Sequence, residues 1–246
     1  MSNKVLVIAS HPDDETIGCG GAICRHVKEG DDVGIITLTN GVNSRDNSND
    51  DDLEKRNIAA EKAISSLGAS WIGAGDFPDN KIDSIPLIDV IKFIESFKDT
   101  FYPNIIYVHS PTDLNIDHRI AASATLTAYR PEPKESYEEI RFYEVASSTD
   151  YTVKQLDKKF EPNLYINIDA YIEKKIEALK FYNMEMRENP HSRSYEKIKS
   201  LAQYRGSESG MNYAEAFEVA RRIIRWNLIL HSKYDLRRSI KKEKNY

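Results

Sequence analysis

The sequence predicts a single α/β domain in which a mostly parallel sheet lies between two layers of helices. Three observations carry that prediction. Apolar, strand-like runs alternate with helix-period segments from residue 4 onward. The first run, KVLVIAS at 4–10, is continuously apolar, as in a strand buried on both faces. The connections are short enough for helical crossovers to join neighbouring parallel strands. At 246 residues the chain can bury a sizeable core in one such domain.

Each element follows from local signals. After the first strand, 16–29 has helical character and Gly30 stops it. DVGIITLT at 32–39 is a second strand, and 40–50, rich in Asn, Asp and Ser, is a loop. From 51 to 67, Ile58, Ala59, Ala63 and Leu67 share a helix face, and Gly68 follows the end. SWIGAG at 70–75 is a third strand. Pro86 suits the first turn of a helix over 86–99. NIIYVHS at 104–110 is a fourth strand, followed by a loop and a helix from about 117 to 129. Strands at 139–146 and 163–169 come next, and helices at about 170–188, 195–205 and 213–231 close the domain. Residues 1–231 are thus expected to form the domain and 232–246 a basic tail.

Composition narrows the class. Apolar residues make up 40% and charged ones 30%, which fits a soluble globular chain rather than a disordered one. No apolar run approaches the ~20 residues that span a membrane. The N-terminus reads as a first strand, not a signal peptide. Cys19 and Cys24 fit neither a zinc ribbon nor a redox Cys-x-x-Cys pair and read as buried thiols in a reducing, cytoplasmic setting. The net charge is −5, yet nine Lys/Arg against two acidic residues make 221–246 about +7. That end reads as a solvated helix with a frayed terminus, and no nucleic-acid partner is expected.

In parallel sheets, ligands bind beyond the carboxyl ends of the strands. The loops after residues 10, 39, 75 and 110 carry His11, Asp13, Asp14 and Glu15, then Asn40 and Arg45, then Asp76 and Asp79, then His109, Asp113, Asn115, Asp117 and His118. His11 and Asp14, three apart at a strand-to-helix turn, can aim at one point, and His118 can approach from an adjacent loop. Two nitrogens and one oxygen leave a position open for water, the arrangement of catalytic zinc. Asp13 is then a natural base for that water. The same ligands could serve a non-haem iron(II) oxygenase. A dinucleotide-binding module is disfavoured, because Ile23 stands where G-x-G-x-x-G needs its third glycine. The glycines after the first strand therefore read as packing residues.

His11-Pro12-Asp13-Asp14-Glu15 after an apolar strand, with Asp117-His118-Arg119 about a hundred residues later, resembles the PIG-L/LmbE-like family of zinc-dependent N-deacetylases. The likeness continues through Thr39-Asn40-Gly41, Arg45, the LG at 67–68, FPDN at 77–80, DLNIDHR at 113–119, PHSRS at 190–194, YRGSESG at 204–210 and YAEAF at 213–217. It covers nearly the whole chain. The resemblance implies a Rossmann-like three-layer fold and hydrolysis of an acetamide on an N-acetylglucosamine-type group, a small-molecule sugar substrate. It implies Zn2+ held by His11, Asp14 and His118, Asp13 as base, Arg45 as a substrate contact, and a homo-oligomer.

One position departs from the pattern, and there Asn115 or His109 is expected to be the catalytic group that stabilises the oxyanion. Many members carry histidine three residues before the metal histidine, where this chain has Asn115. Asparagine can donate a hydrogen bond but carries no charge. His109 and His191 are substitutes for the oxyanion role, and each also fits a structural histidine. Asp117 either orients a metal-site group or caps the helix that holds His118. Asn40 joins Arg45, Asp117 and His191 as an expected substrate-side residue. Glu15 is left outside the catalytic set, since an acid at a helix N-terminus is stabilising by itself.

Overall fold

A computed structural model describes residues 2–41, 50–133, 135–154 and 158–225. One seven-stranded sheet has the order β3-β2-β1-β4-β5-β7-β6. Its strands are β1 (Lys4–Ala9), β2 (Asp32–Thr39), β3 (Ser70–Phe77), β4 (Ile105–His109), β5 (Glu139–Tyr143), β6 (Leu164–Asn167) and β7 (Ala214–Arg222). The first five pair in parallel, while β7 runs antiparallel to both β5 and β6.

Alternation along β1 explains the three layers. Val5 and Val7 point into a core shared with α1 (Asp14–Lys28), α6 (Ile172–Phe181) and α7 (Tyr195–Ser209). Leu6 and Ile8 point the other way, into a core shared with α3 (Leu87–Glu95) and α5 (Ile116–Ala128). Both faces of the central strands are therefore covered, as the continuous apolar runs require. The helix α2 (Asp50–Leu67) packs against α6 on the first face.

The glycines after β1 serve packing. A Cβ at Gly18 would collide with the Tyr143 ring, and one at Gly21 would lie 2.7 Å from Ile168 Cγ2. Between them α1 kinks at Cys19, whose φ of −142° and ψ of 21° are not helical. The second part of α1 is capped from outside: Gly21 and Ala22 donate to the Glu215 carboxylate at 2.9 and 2.7 Å. Cys19 and Cys24 are free and buried.

Some elements differ from the sequence reading. The expected helix over 213–231 is strand β7 through Arg222. Ala, Glu and Arg favour helices intrinsically, but this segment fills the gap between β5 and β6, where main-chain pairing on both sides outweighs propensity. The expected helix at 86–99 divides into α3 and a single turn, α4 (Lys98–Phe101), with Pro86 as the residue before α3. The expected helix at 170–188 ends at Phe181. The basic segment 232–246 and the domain limit at 231 lie outside the described residues. Among the described residues, no helix is long and apolar enough to cross a membrane.

Candidate active site

The carboxyl ends of β1, β3 and β4 and the helix α2 meet at one cleft. At the end of β1, Ser10 N–H donates to His109 Nε2 on the last residue of β4, at 2.8 Å. The chain then turns sharply through Asp13, whose φ of 141° is strained for any residue with a side chain. Glu15 holds that turn. One carboxylate oxygen accepts the Asp13 N–H at 3.0 Å, and the other accepts Tyr182 O–H at 2.8 Å and Thr16 O–H at 2.6 Å. Burial pushes the Glu15 carboxyl up to about 7 despite these donors.

Three side chains then form a triangle. His11 Nδ1 lies 3.1 Å from Asp14 Oδ2, and His118 Nε2 lies 3.3 Å from each of those atoms. A tetrahedral ion with bonds of ~2.0–2.1 Å separates its ligand atoms by about 3.3 Å, the tetrahedral edge. All three residues are buried, and Asp14 Oδ1 is buried with no hydrogen-bond partner among the described residues. The donor set therefore fits a first-row divalent cation.

Carboxylates stand behind both imidazoles. His118 Nδ1 faces Asp113 Oδ2 at 3.1 Å, and His11 Nε2 faces Asp117 Oδ2 and Asp79 Oδ1, each at 3.2 Å. Such partners fix the ring orientation of metal-binding histidines. Asp113 also accepts from the hydroxyls of Ser148 and Thr149. Asp117 accepts from the N–H of Asn80 at 2.7 Å and of Ile82 at 3.1 Å, which anchors the loop after β3. His11, Asp79 and Asp117 could form a second cation group, but Asp117 is already committed to those backbone donors.

The electrostatics match a site built for positive charge. Burial works against charge on His118, yet Asp14 and Asp113 raise it to about 9. Burial likewise opposes the Asp113 anion, and His118 with the hydroxyl donors still holds it down to about 2. Asp14 is driven well below the usual carboxylate range by the imidazoles, again against burial.

Asp13 lines the open side of this arrangement beside His11. Burial raises its carboxyl to about 6, opposed by two guanidiniums. Arg56 Nη2 is 3.4 Å from Asp13 Oδ2 and Arg193 Nη1 is 3.3 Å from the same atom. Arg56 also ion-pairs with Glu185 and lies over the Tyr182 ring. Gly41, at φ 68°, lets the loop after β2 approach Arg56: an added Cβ would sit 3.2 Å from Nη2. Among the described residues, the cleft is lined by imidazole, carboxylate, amide and guanidinium groups together with Gly41.

The structure brings His11, Asp13, Asp14, His118, Asp117 and Asn115 together, with His109 packed directly against His118. Asn115, not Asp117, caps α5: its side-chain oxygen accepts Asp117 N–H at 2.8 Å, while Nδ2 donates to Asn80 at 3.0 Å. Asp117 has the orienting place on His11 instead. His109 lies behind the site, its ring stacked 3.8 Å from that of His118. Because Nε2 accepts from Ser10, it cannot donate into the cleft, and burial drives the ring towards its neutral form. His191 is half-buried, accepts from Arg193 N–H at 3.1 Å and does not line the cleft. Asn40 is half-buried beside Gly41. Arg45 lies outside the described residues. Arg56, Arg193 and Glu185 were not among the residues singled out from sequence, although Arg193 sits inside the PHSRS block.

Comparison with known proteins gives the family and the fold. The family model PIG-L, described as GlcNAc-PI de-N-acetylase, matches residues 6–129, half of the chain. The chain is 27% identical over 222 residues to the diacetylchitobiose deacetylase of Thermococcus kodakarensis, covering 86% of this chain and 81% of that one. A conserved protein of Thermus thermophilus superposes with a TM-score of 0.72 at 25% identity, over 91% of this chain and 97% of that one. The N,N'-diacetylchitobiose deacetylase of Pyrococcus horikoshii shares the fold, with a TM-score of 0.71 at 21% identity over 88% and 83% of the two chains.

Proposed function

This chain belongs to the PIG-L (GlcNAc-PI de-N-acetylase) family, and from that premise we propose that it is a zinc-dependent hydrolase that removes the acetyl group from an N-acetylglucosamine-type sugar. The observation that carries the reading is the buried triangle of His11 Nδ1, Asp14 Oδ2 and His118 Nε2, with a carboxylate at its open side. The polar lining of the cleft supports a sugar rather than an apolar substrate. The relatives named for diacetylchitobiose support the acetamide as the reacting group.

His11, Asp14 and His118 would hold zinc, which when bound supplies Lewis acidity and brings the ionisation of water near pH 7. Asp13 is the general base. The strained turn, clamped by Glu15, presents its carboxylate to the cleft, and Arg56 and Arg193 favour its ionised form against burial. Asp13 takes a proton from the attacking water and returns it to the leaving nitrogen. Asp113 and Asp117 keep the two imidazoles in register. Asn115, at the cleft wall, and Arg45 are proposed contacts to the sugar. Two free, buried thiols support a reducing, cytoplasmic setting.

The test is acetate release across a panel of N-acetylated sugars, with and without chelator, alongside metal analysis of the purified protein. Chelator-sensitive acetate release with about one zinc per chain is the expected result. Iron with oxygen-dependent turnover, or no release from any N-acetylated sugar, would overturn the reading.

A further inference from the structure

We propose that Arg193 is a catalytic residue, the cation that receives the negative charge formed on the acetamide oxygen. The inference rests on the deacetylase reading and goes beyond it, because no group has yet been assigned to that charge.

Two guanidiniums touch Asp13, and they differ in what else they can reach. The Arg56 side chain also borders the cleft, but it is only 2% exposed and packs against Asp13, Glu185 and the Tyr182 ring. The Arg193 side chain is 21% exposed and lines the cleft. It is also fixed in place. Nε donates to Ser147 Oγ at 2.7 Å and lies 3.4 Å from the Ala146 carbonyl, and Ser147 is itself in a positive-φ conformation at 68°. Nη1 reaches Asp13 Oδ2 at 3.3 Å, and Nη2 has no hydrogen-bond partner among the described residues. Asn115 is already engaged in capping α5 and bonding Asn80, and His109 is fully buried behind the site, its Nε2 accepting from Ser10 and its ring outside the cleft lining.

The charge movement suits this placement. In the free site, the Asp13 carboxylate balances Arg193. When the water oxygen bonds to the acetamide carbon, a water proton passes to Asp13 and the carbonyl electron pair moves onto oxygen. Asp13 becomes neutral as the oxyanion forms, so the Arg193 cation loses one anionic partner while another appears within the same cleft. A preorganised donor that meets charge only as it develops lowers the barrier without tightening substrate binding. Collapse then re-forms the C=O bond and breaks the C–N bond, and the proton on Asp13 moves to the nitrogen. The products are acetic acid, which ionises in solution, and the amine.

The experiment compares wild-type protein, Arg193→Ala and Arg193→Lys, with zinc content measured in each. Acetate release gives kcat and KM, and calorimetry gives the affinity for a methylphosphonamidate analogue of N-acetylglucosamine, a tetrahedral anion. Removing one such donor costs about 10²–10³-fold in kcat. That loss is expected for Arg193→Ala with KM little changed, with a parallel loss of analogue affinity and partial rescue by added guanidinium. Arg193→Lys, which keeps a cation and the aliphatic contacts, should fall between and carries the test if the alanine variant does not fold. A kcat within about fivefold of wild type in both variants, or a loss confined to KM, overturns the role of Arg193 and leaves the deacetylase reading intact. Absence of acetate release by the zinc-loaded wild type overturns both.

Discussion

Lys175→Met should be among the most damaging single changes remote from the metal site. Lys175 and Glu215 form an ion pair at 2.6 Å with both side chains 4% exposed. Lys175 Nζ also donates to Ile17 O at 2.7 Å, and Glu215 accepts from Gly21 and Ala22 N–H, so the pair closes the kink in α1 and ties it to β7. Methionine matches the lysine stem in length but removes the cation. The carboxylate is then buried with two backbone donors and no counter-charge. Breaking a buried pair in this way costs ~3–5 kcal/mol. For a chain of this size each kcal/mol moves the thermal midpoint by ~2–4 °C, so the expected loss is roughly 6–20 °C. Glu215→Gln in the same chain should recover part of it, since the amide oxygen still accepts one N–H and the stranded charge is gone. Scanning calorimetry of the two single variants and the double variant measures this directly. A midpoint for Lys175→Met within 2 °C of wild type, or a double variant that is worse than both singles, would refute the view that this pair supports the kink.

Three further expectations follow from the site and its surroundings. Asp13→Asn should keep stoichiometric metal yet lose roughly 10²–10⁴-fold in turnover, the contribution of a positioned base; near-wild-type turnover with metal retained would contradict the role. Tyr182→Phe removes one donor from the Glu15 carboxylate, which then stays buried and less well satisfied, and should cost ~1–3 kcal/mol in chemical denaturation together with a fall in kcat at unchanged metal content. His26 sits between Asp31 at 2.7 Å and the Tyr107 hydroxyl at 2.9 Å, and burial lowers its pKa below 6.5 in spite of Asp31. The unfolded chain therefore binds a proton there more readily than the folded one, so this stability is present above about pH 6.5 and is lost as pH falls through the folded value. The thermal midpoint of wild type should drop more between pH 7.5 and pH 5 than that of His26→Gln, and equal drops would count against it.

What could be read from the sequence was what is encoded locally. The continuous apolar run of β1, the period of α2 around Ala59 and Ala63, and the turn that carries His11 and Asp14 three residues apart each depend on neighbours along the chain. So does the failure of the dinucleotide fingerprint at Ile23, since the glycines prove to make room for Tyr143 and Ile168. The fold class was legible for that reason, and so was the convergence of His11 and Asp14 at one turn.

The tertiary structure decided the rest, because it depends on residues far apart in sequence. Residues 214–222 carry helix-forming side chains and become a strand, since two neighbouring strands offer unpaired main chain on either side. Of the two parts the sequence allows Asp117, capping α5 falls to Asn115 instead, and Asp117 faces His11 and the loop after β3. Arg193 reaches Asp13 from 180 residues away. Glu15, which by itself reads as an acid at a helix N-terminus, holds the strained turn at Asp13, and Tyr182 reaches its other oxygen from 167 residues away. The chain thus writes its chemistry into one short turn, and long-range packing determines which groups tune it.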